Sequence, residues 1–365
     1  MKLFFNFFLY GLVIILLVSC GTFKKVKKST VTDISPKKYI AYYTPKVINI
    51  DGKLNEEAWK KAPWTELFID IEGKKKPKYN TRAKMLWDDT YFYIIAELEE
   101  PHVWADITKH DAIIFHNNDF EVFVEPDNNG HDYYELEINA LNTTWDLFIT
   151  EPYRELDNYA VNDFEIKGLK SAISINGTLN NPNDIDKGWV VEMAIPWEVY
   201  KRSYYENIVP RDKFWRVNFS RVNWDHTIHN GKYSRKTGND GKFLPEYNWV
   251  WSPQGVINIH EPEKWGYVYF SSKKIGEKDS FSIPDDERIK WKLFEFYRKQ
   301  KSYYLKHSQW ITSLDKLNAK EFTVLGKLIQ PRMENHSQGF VIIVKSPFTG
   351  NEIIINEEGK LTVKK

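Results

Sequence analysis

Two stretches of the chain put acidic and amide side chains at alternate positions. They are Asp119-Phe120-Glu121-Val122-Phe123-Val124-Glu125 and Tyr133-Tyr134-Glu135-Leu136-Glu137-Ile138-Asn139, separated by the turn-forming run Pro126-Asp127-Asn128-Asn129-Gly130. In an extended strand successive side chains point to opposite faces. Phe120, Val122 and Val124 therefore form one face and Glu121, Phe123 and Glu125 the other, and the second stretch divides Tyr134, Leu136 and Ile138 from Tyr133, Glu135, Glu137 and Asn139. If the two strands pair, carboxylates, an amide and two aromatic rings share one surface. Like charges opposed across a sheet are unfavourable, so the pattern calls for an arginine, a lysine, a metal ion or water beside it. Three chemistries fit: a solvated outer face, a platform on which carboxylates and an amide bind sugar hydroxyls while a ring covers the sugar's C–H face, or glycoside hydrolysis by Glu121 with Glu135 or Glu137.

Other oxygen-rich or nitrogen-bearing clusters are less specific. Asp127 and Asp132 flank the turn and offer the oxygen ligands that calcium prefers, as do Asp184 and Asp186, yet neither loop has the twelve-residue EF-hand spacing and ordinary Asx turns account for both. A structural Ca2+ at Asp127 and Asp132 is the expectation. His226 and His229 beside Trp224-Asp225 could chelate a metal on a helical turn, although Asn230-Gly231 argues for a loop. A glycine-rich phosphate loop, a serine nucleophile elbow and a thiolate pair are all missing from the sequence.

The chain has 365 residues, with 51 Lys+Arg against 50 Asp+Glu for a net charge of +1, so it lacks the basic excess that nucleic-acid binding needs. Its 14 Trp, 21 Tyr and 22 Phe residues point to a globular protein whose rings either fill a β-rich core or line a stacking surface. Leu3 to Val18 is almost unbroken apolar sequence and ends in Leu17-Val18-Ser19-Cys20. That stretch is short for a membrane span and reads as a signal segment over residues 1–20. Its ending resembles a bacterial lipobox, which makes Cys20, the single cysteine, the lipidated residue and places the protein in the cell envelope, held to a membrane. Residues 21–38, rich in lysine, read as a tether.

From residue 39 to 272, short alternating runs such as Tyr91–Leu98, Thr144–Ile149, Trp189–Ala194 and Trp215–Arg221 are separated by turn residues. The fold class is mainly β, an antiparallel β-sandwich or barrel. Residues 282–365 form a small α+β appendage: acidic residues after Pro284 start a helix of about five turns, and three strands, Phe322–Ile329, Phe340–Val344 and Glu352–Ile355, follow, with Leu361–Val363 after a turn.

Five blocks, in order, resemble the family 9 carbohydrate-binding modules. They are Val47 to Trp59, Met85-Leu86-Trp87-Asp88-Asp89, Asn118-Asp119-Phe120-Glu121-Val122-Phe123, Gly188 to Trp197 and Pro262-Glu263-Lys264-Trp265-Gly266. The resemblance implies an immunoglobulin-like β-sandwich that binds glycans between stacked rings and carries bound calcium. It places a sugar-contacting glutamate at Glu121, an asparagine at Asn139 and a stacking ring at Phe115. The second stacking ring falls near Ile259 and a sugar-binding arginine falls at Glu137, both departures from the pattern. Trp104, Trp145, Trp224 or Trp251, with Arg154, offer a different ligand surface. The expected function is a non-catalytic, lipid-anchored binder of poly- or oligosaccharide. The alternatives are a glycoside-active enzyme using the strand carboxylates and a structural lipoprotein that has lost its ligand.

Overall fold

The computed structural model describes residues 35–155, 160–203 and 208–365, so Cys20, the signal segment and most of the tether lie outside the described residues. Fifteen strands precede the appendage: β1 Lys38–Tyr43, β2 Ile69–Asp70, β3 Thr81–Trp87, β4 Tyr91–Glu99, β5 Asp119–Glu125, β6 Tyr133–Asn139, β7 Thr144–Ile149, β8 Ala160–Val161, β9 Lys170–Asn176, β10 Gly188–Pro196, β11 Phe214–Asn223, β12 His226–His229, β13 Lys232–Arg235, β14 Tyr247–Val250 and β15 Gly266–Lys274. A short helix, α1 (Glu57–Lys61), lies between β1 and β2.

The strands form a sandwich whose two layers meet in one long strand. In the first layer the order is β8-β7-β6-β5-β11, and in the second it is β15-β1-β3-β4-β10-β9. Strand β11 belongs to both: Phe214–Val217 pair with β15, and Ser220–Asn223 pair with β14, which continues the first layer to β2. Between the layers lies one apolar core that takes Trp87, Phe92, Ile94 and Met193 from the second layer and Phe120, Val122, Leu136 and Phe219 from the first. The pairing is antiparallel except at β1, which runs parallel to both β15 and β3. No tight turn joins β1 to either neighbour, and parallel pairing is open to strands connected by long segments.

The opening segment is tied down by a buried carboxylate. Glu192 on β10 accepts hydrogen bonds from Asp51 N, Gly52 N and the indole of Trp59 at 2.7–2.8 Å. His226 and His229 do not sit on a helical turn. Asn230 (φ 50°) and Gly231 (φ 72°) make the two-residue turn of the β12–β13 hairpin, and residues three apart on a strand point to opposite faces, so the two imidazoles do not converge.

The appendage contains α2 (Asp285–His307), α3 (Leu314–Leu317), and strands β16 Phe322–Val324, β17 Lys327–Ile329, β18 Arg332–Asn335, β19 Phe340–Lys345, β20 Glu352–Asn356 and β21 Leu361–Lys364. The single strand expected over Phe322–Ile329 is a hairpin, because Leu325 and Gly326 both adopt positive φ and reverse the chain. One stripe of α2 (Ile289, Leu293, Phe296) packs with Phe340, Ile342 and Ile353 into a second core.

A different part of α2 meets the sandwich through charge. Glu287 is buried and bonds Tyr267 Oη at 2.9 Å, Lys290 at 2.7 Å and Arg216 at 3.4 Å. Arg298 pairs with Glu261 and Glu263, and Lys301 and the Tyr297 hydroxyl both reach Glu155. The turn after β5 approaches so closely that a Cβ on Gly130 (φ 88°) would stand 3.1 Å from the Phe294 ring. Removing one partner of a buried pair costs about 3–5 kcal/mol because the other charge stays buried. Chemical denaturation of Glu287→Ala should therefore show a loss of about that size, and a wild-type midpoint would mean that Arg216 and Lys290 do not depend on this carboxylate.

Candidate functional site

All seven residues of β5 and all seven of β6 are buried, on both faces. The inner face is the expected apolar one. The outer face is covered rather than wet: Phe123, Tyr133, Leu147, Ile149 and Trp265 form a small cluster there with Trp145 and Ile259 at its edge. Next to this cluster a groove of about 240 Å³ remains open. Its floor carries Glu121 from β5, Glu135 and Glu137 from β6, Trp145 and Leu147 from β7, Val222 from β11 and Asn248 from β14. Phe115, Tyr153 and the Ile257–His260 segment wall it.

Register brings the carboxylates together. Glu121 stands directly across from Glu137, and Glu137 in turn from Trp145. Glu137 also positions the groove's half-exposed ring, since its Oε2 accepts the Phe115 amide N–H at 2.8 Å. On the other side of the same residue, the Trp224 indole donates to the Phe115 carbonyl at 2.8 Å. The backbone of Phe115 is thus held from two directions, and its ring direction is set by a buried acid and a buried tryptophan.

Among the described residues no lysine or arginine lines the groove. Burial pushes the Glu121 carboxyl up to about 7, and burial together with neighbouring carboxylates raises Asp119, Glu135 and Glu137 well above the usual range. His260 is neutral here, held down to about 3 by burial, with its Nδ1 on the Tyr133 hydroxyl at 2.9 Å. The contrast with the α2 contact is direct: burial raises the Glu263 carboxyl too, but Arg154 and Arg298 outweigh it and bring it to about 2.

The residues singled out in the sequence divide sharply. Glu121 and Phe115 face the groove. Trp224 supports Phe115 from behind rather than presenting a face, and Arg235 lies over its ring at 4.7 Å. Asn139 is fully buried and saturated: its Nδ2 donates to the Ile107 carbonyl at 2.8 Å and its Oδ1 accepts Leu141 N and Thr143 N, which ties the β6–β7 turn. Trp104 is 3% exposed and stacks on Tyr233, and Trp251 is wholly buried in the core against Tyr39 and Phe219. Arg154 bonds Glu263 at 3.0 Å and so belongs to the α2 contact. Asp127 accepts from Asn129 N and Nδ2, and Asp132 pairs with Lys360 at 3.1 Å. Each of those two carboxylates already has a protein partner, and among the described residues neither belongs to a converging group of three acidic or imidazole ligands. Tyr153 and Glu246, which also line the groove, come from loops and carry no signal in the sequence, whereas the resemblance points near Ile259, and Trp145 was singled out only for a different ligand surface.

Fold and groove define a two-layer β-sandwich module with an acidic, ring-walled hollow on the outer face of one sheet. Residues 50–210 match the family described as carbohydrate family 9 binding domain-like, and the protein is family-9-like over that stretch. The chain is 28% identical over 162 residues to endo-1,4-beta-xylanase C of Paenibacillus barcinonensis and 26% identical over 148 residues to exoglucanase XynX of Acetivibrio thermocellus. These alignments take in 44% and 40% of this chain but only 12% and 11% of the two relatives. A family 9 module of Caldicellulosiruptor kristjanssonii, solved with cellotriose, has a TM-score of 0.40 at 14% identity, covering 68% of this chain and 98% of that one.

A carboxyl whose folded-state pKa is raised contributes stability that is full below its ordinary value and is lost as pH rises through the folded value. For Glu121 that window runs from 4.5 to about 7. Thermal melts in metal-free buffer should show stability falling across this window, with a shallower fall in Glu121→Gln. The same slope in both proteins would contradict the assignment.

Proposed function

We propose that the protein is a non-catalytic carbohydrate-binding lipoprotein, joined to a membrane of the cell envelope through Cys20, and that the groove over Glu121 and Glu137 takes a poly- or oligosaccharide. The observation that carries this reading is the groove itself, in which hydrogen-bonding acids form a floor beside the Phe115, Trp145 and Tyr153 rings. Sugars offer both partners such a surface needs, hydroxyl groups for the acids and C–H faces for the rings. The family match and the xylanase and exoglucanase relatives support a plant-type β-linked glycan as the first class to try. The Leu17-Val18-Ser19-Cys20 sequence supports the anchor. Among the described residues no helix is long and apolar enough to cross a membrane.

The arrangement favours binding over hydrolysis. A glycosidase needs two carboxyl groups on either side of the scissile bond. Glu121 and Glu137 are cross-strand neighbours on one sheet face, and the proposal lays the saccharide over the pair.

Affinity electrophoresis of the full chain through gels containing xylan or β-glucan should show retardation. Phe115→Ala should weaken it about three- to tenfold, as loss of an aromatic contact does, and Glu121→Gln by about tenfold or more, as loss of a hydrogen bond to a charged group does. Migration unaffected by every glycan tried would sink the proposal.

A further inference from the structure

Among the described residues no lysine or arginine hydrogen-bonds the groove's acids, and three of them are arranged as a ligand set. Glu121 and Glu137 are cross-strand partners, and Asp119 lies two residues along β5 on the same outer face. Asp119 is 0% exposed, Glu121 5% and Glu137 2%, and one carboxylate oxygen from each lies within 4.8 Å of the others. In calcium sites the oxygens sit 2.3–2.6 Å from the ion, so ligands on opposite sides of it are about 5 Å apart at most.

A second observation points to a missing partner. Asp119 Oδ1 accepts Val222 N at 3.2 Å, but Oδ2 is buried without any hydrogen bond, and so is Oε2 of Glu135 beside it. A buried polar atom of this kind is costly unless something charged or hydrogen-bonding meets it. The guanidinium of Arg221, on β11, acts on Asp119 through space but makes no hydrogen bond to it: its terminal nitrogens bond Glu100 at 2.8 Å and Thr81 at 3.0 Å.

We propose that Asp119, Glu121 and Glu137 hold a hard divalent cation of the calcium type beneath the groove, and that this cation coordinates hydroxyl groups of the bound saccharide. The second half rests on the carbohydrate-binding reading above; the first does not. An all-carboxylate set selects calcium, magnesium or manganese over zinc or copper. Three side chains leave several of calcium's six to eight positions open, and the groove above Glu121 and Glu137 is where water or adjacent sugar hydroxyls would fill them. This site is separate from the Asp127 and Asp132 turn.

The test is calorimetric titration of the full chain in detergent, stripped with chelator, using calcium chloride as the probe. One saturable site per chain is expected, weakened tenfold or more by Glu137→Gln and by Asp119→Asn. No saturable uptake up to millimolar calcium, the weakest range of natural sites, would overturn the proposal, as would uptake that both variants leave intact. If a variant fails to fold, the wild-type protein decides: its melting temperature should rise with calcium and not with an equal ionic strength of sodium, and an unchanged melting temperature counts against the site. Glycan retention lost in chelator and restored by calcium supports the ligand role, and equal retention in both overturns it. Calcium uptake that responds to the variants, with no glycan retained under either condition, supports the cation site and removes the carbohydrate reading instead.

Discussion

The constraint on which the site depends is the burial of several carboxyl groups on one sheet face with, among the described residues, no basic side chain lining it. Each is expensive to ionise in that position, and Glu121 against Glu137 is an unfavourable cross-strand pair in its own right. The sandwich holds them there because their neighbours in sequence, Phe120, Val122, Leu136 and Ile138, fill the core between the layers. Period two then leaves the acids only the outer face. Covering that face with Trp265 and the Ile257–His260 segment makes a groove from what would otherwise be open sheet, and Glu137 uses part of its hydrogen-bonding capacity to fix Phe115 at the rim.

The same residue type behaves in the opposite way at the α2 contact. Glu263 and Glu287 are as buried as Glu121, yet the arginines and lysines brought by Arg154, Arg216, Lys290 and Arg298 keep both below the ordinary carboxylate range. Those pairs join α2 to the sandwich and set each carboxylate against a cation. Among the described residues no lysine or arginine hydrogen-bonds Asp119, Glu121, Glu135 or Glu137, and this difference separates a structural charge cluster from the proposed binding one. It also explains why the appendage and the groove draw on adjacent loop residues for unrelated purposes: Tyr153 walls the groove while Arg154 binds Glu263.

Much of the sandwich was legible from alternation and turn chemistry, because strands such as Thr144–Ile149 carry their own face assignment. The inner and outer sets of β5 and β6 were read correctly for the same reason. Depth was not legible. Period two states which side chains share a face but not whether a distant loop covers it, so the acidic face could be taken as solvated when it is buried. Tryptophans were ambiguous for a related reason: Trp251 and Trp104 are core or near-core, while Trp145 reaches the groove, and nothing local distinguishes them. Asn139 shows the limit of carrying a role over by position, since its amide is spent on the turn that follows β6.

The most direct measurement is a crystal structure of the protein grown with an oligosaccharide that it retains. The account predicts difference density for a sugar ring lying against Phe115, with hydroxyl groups directed at the floor over Glu121 and Glu137. A sugar bound on any other surface, with the groove left to water, would contradict it.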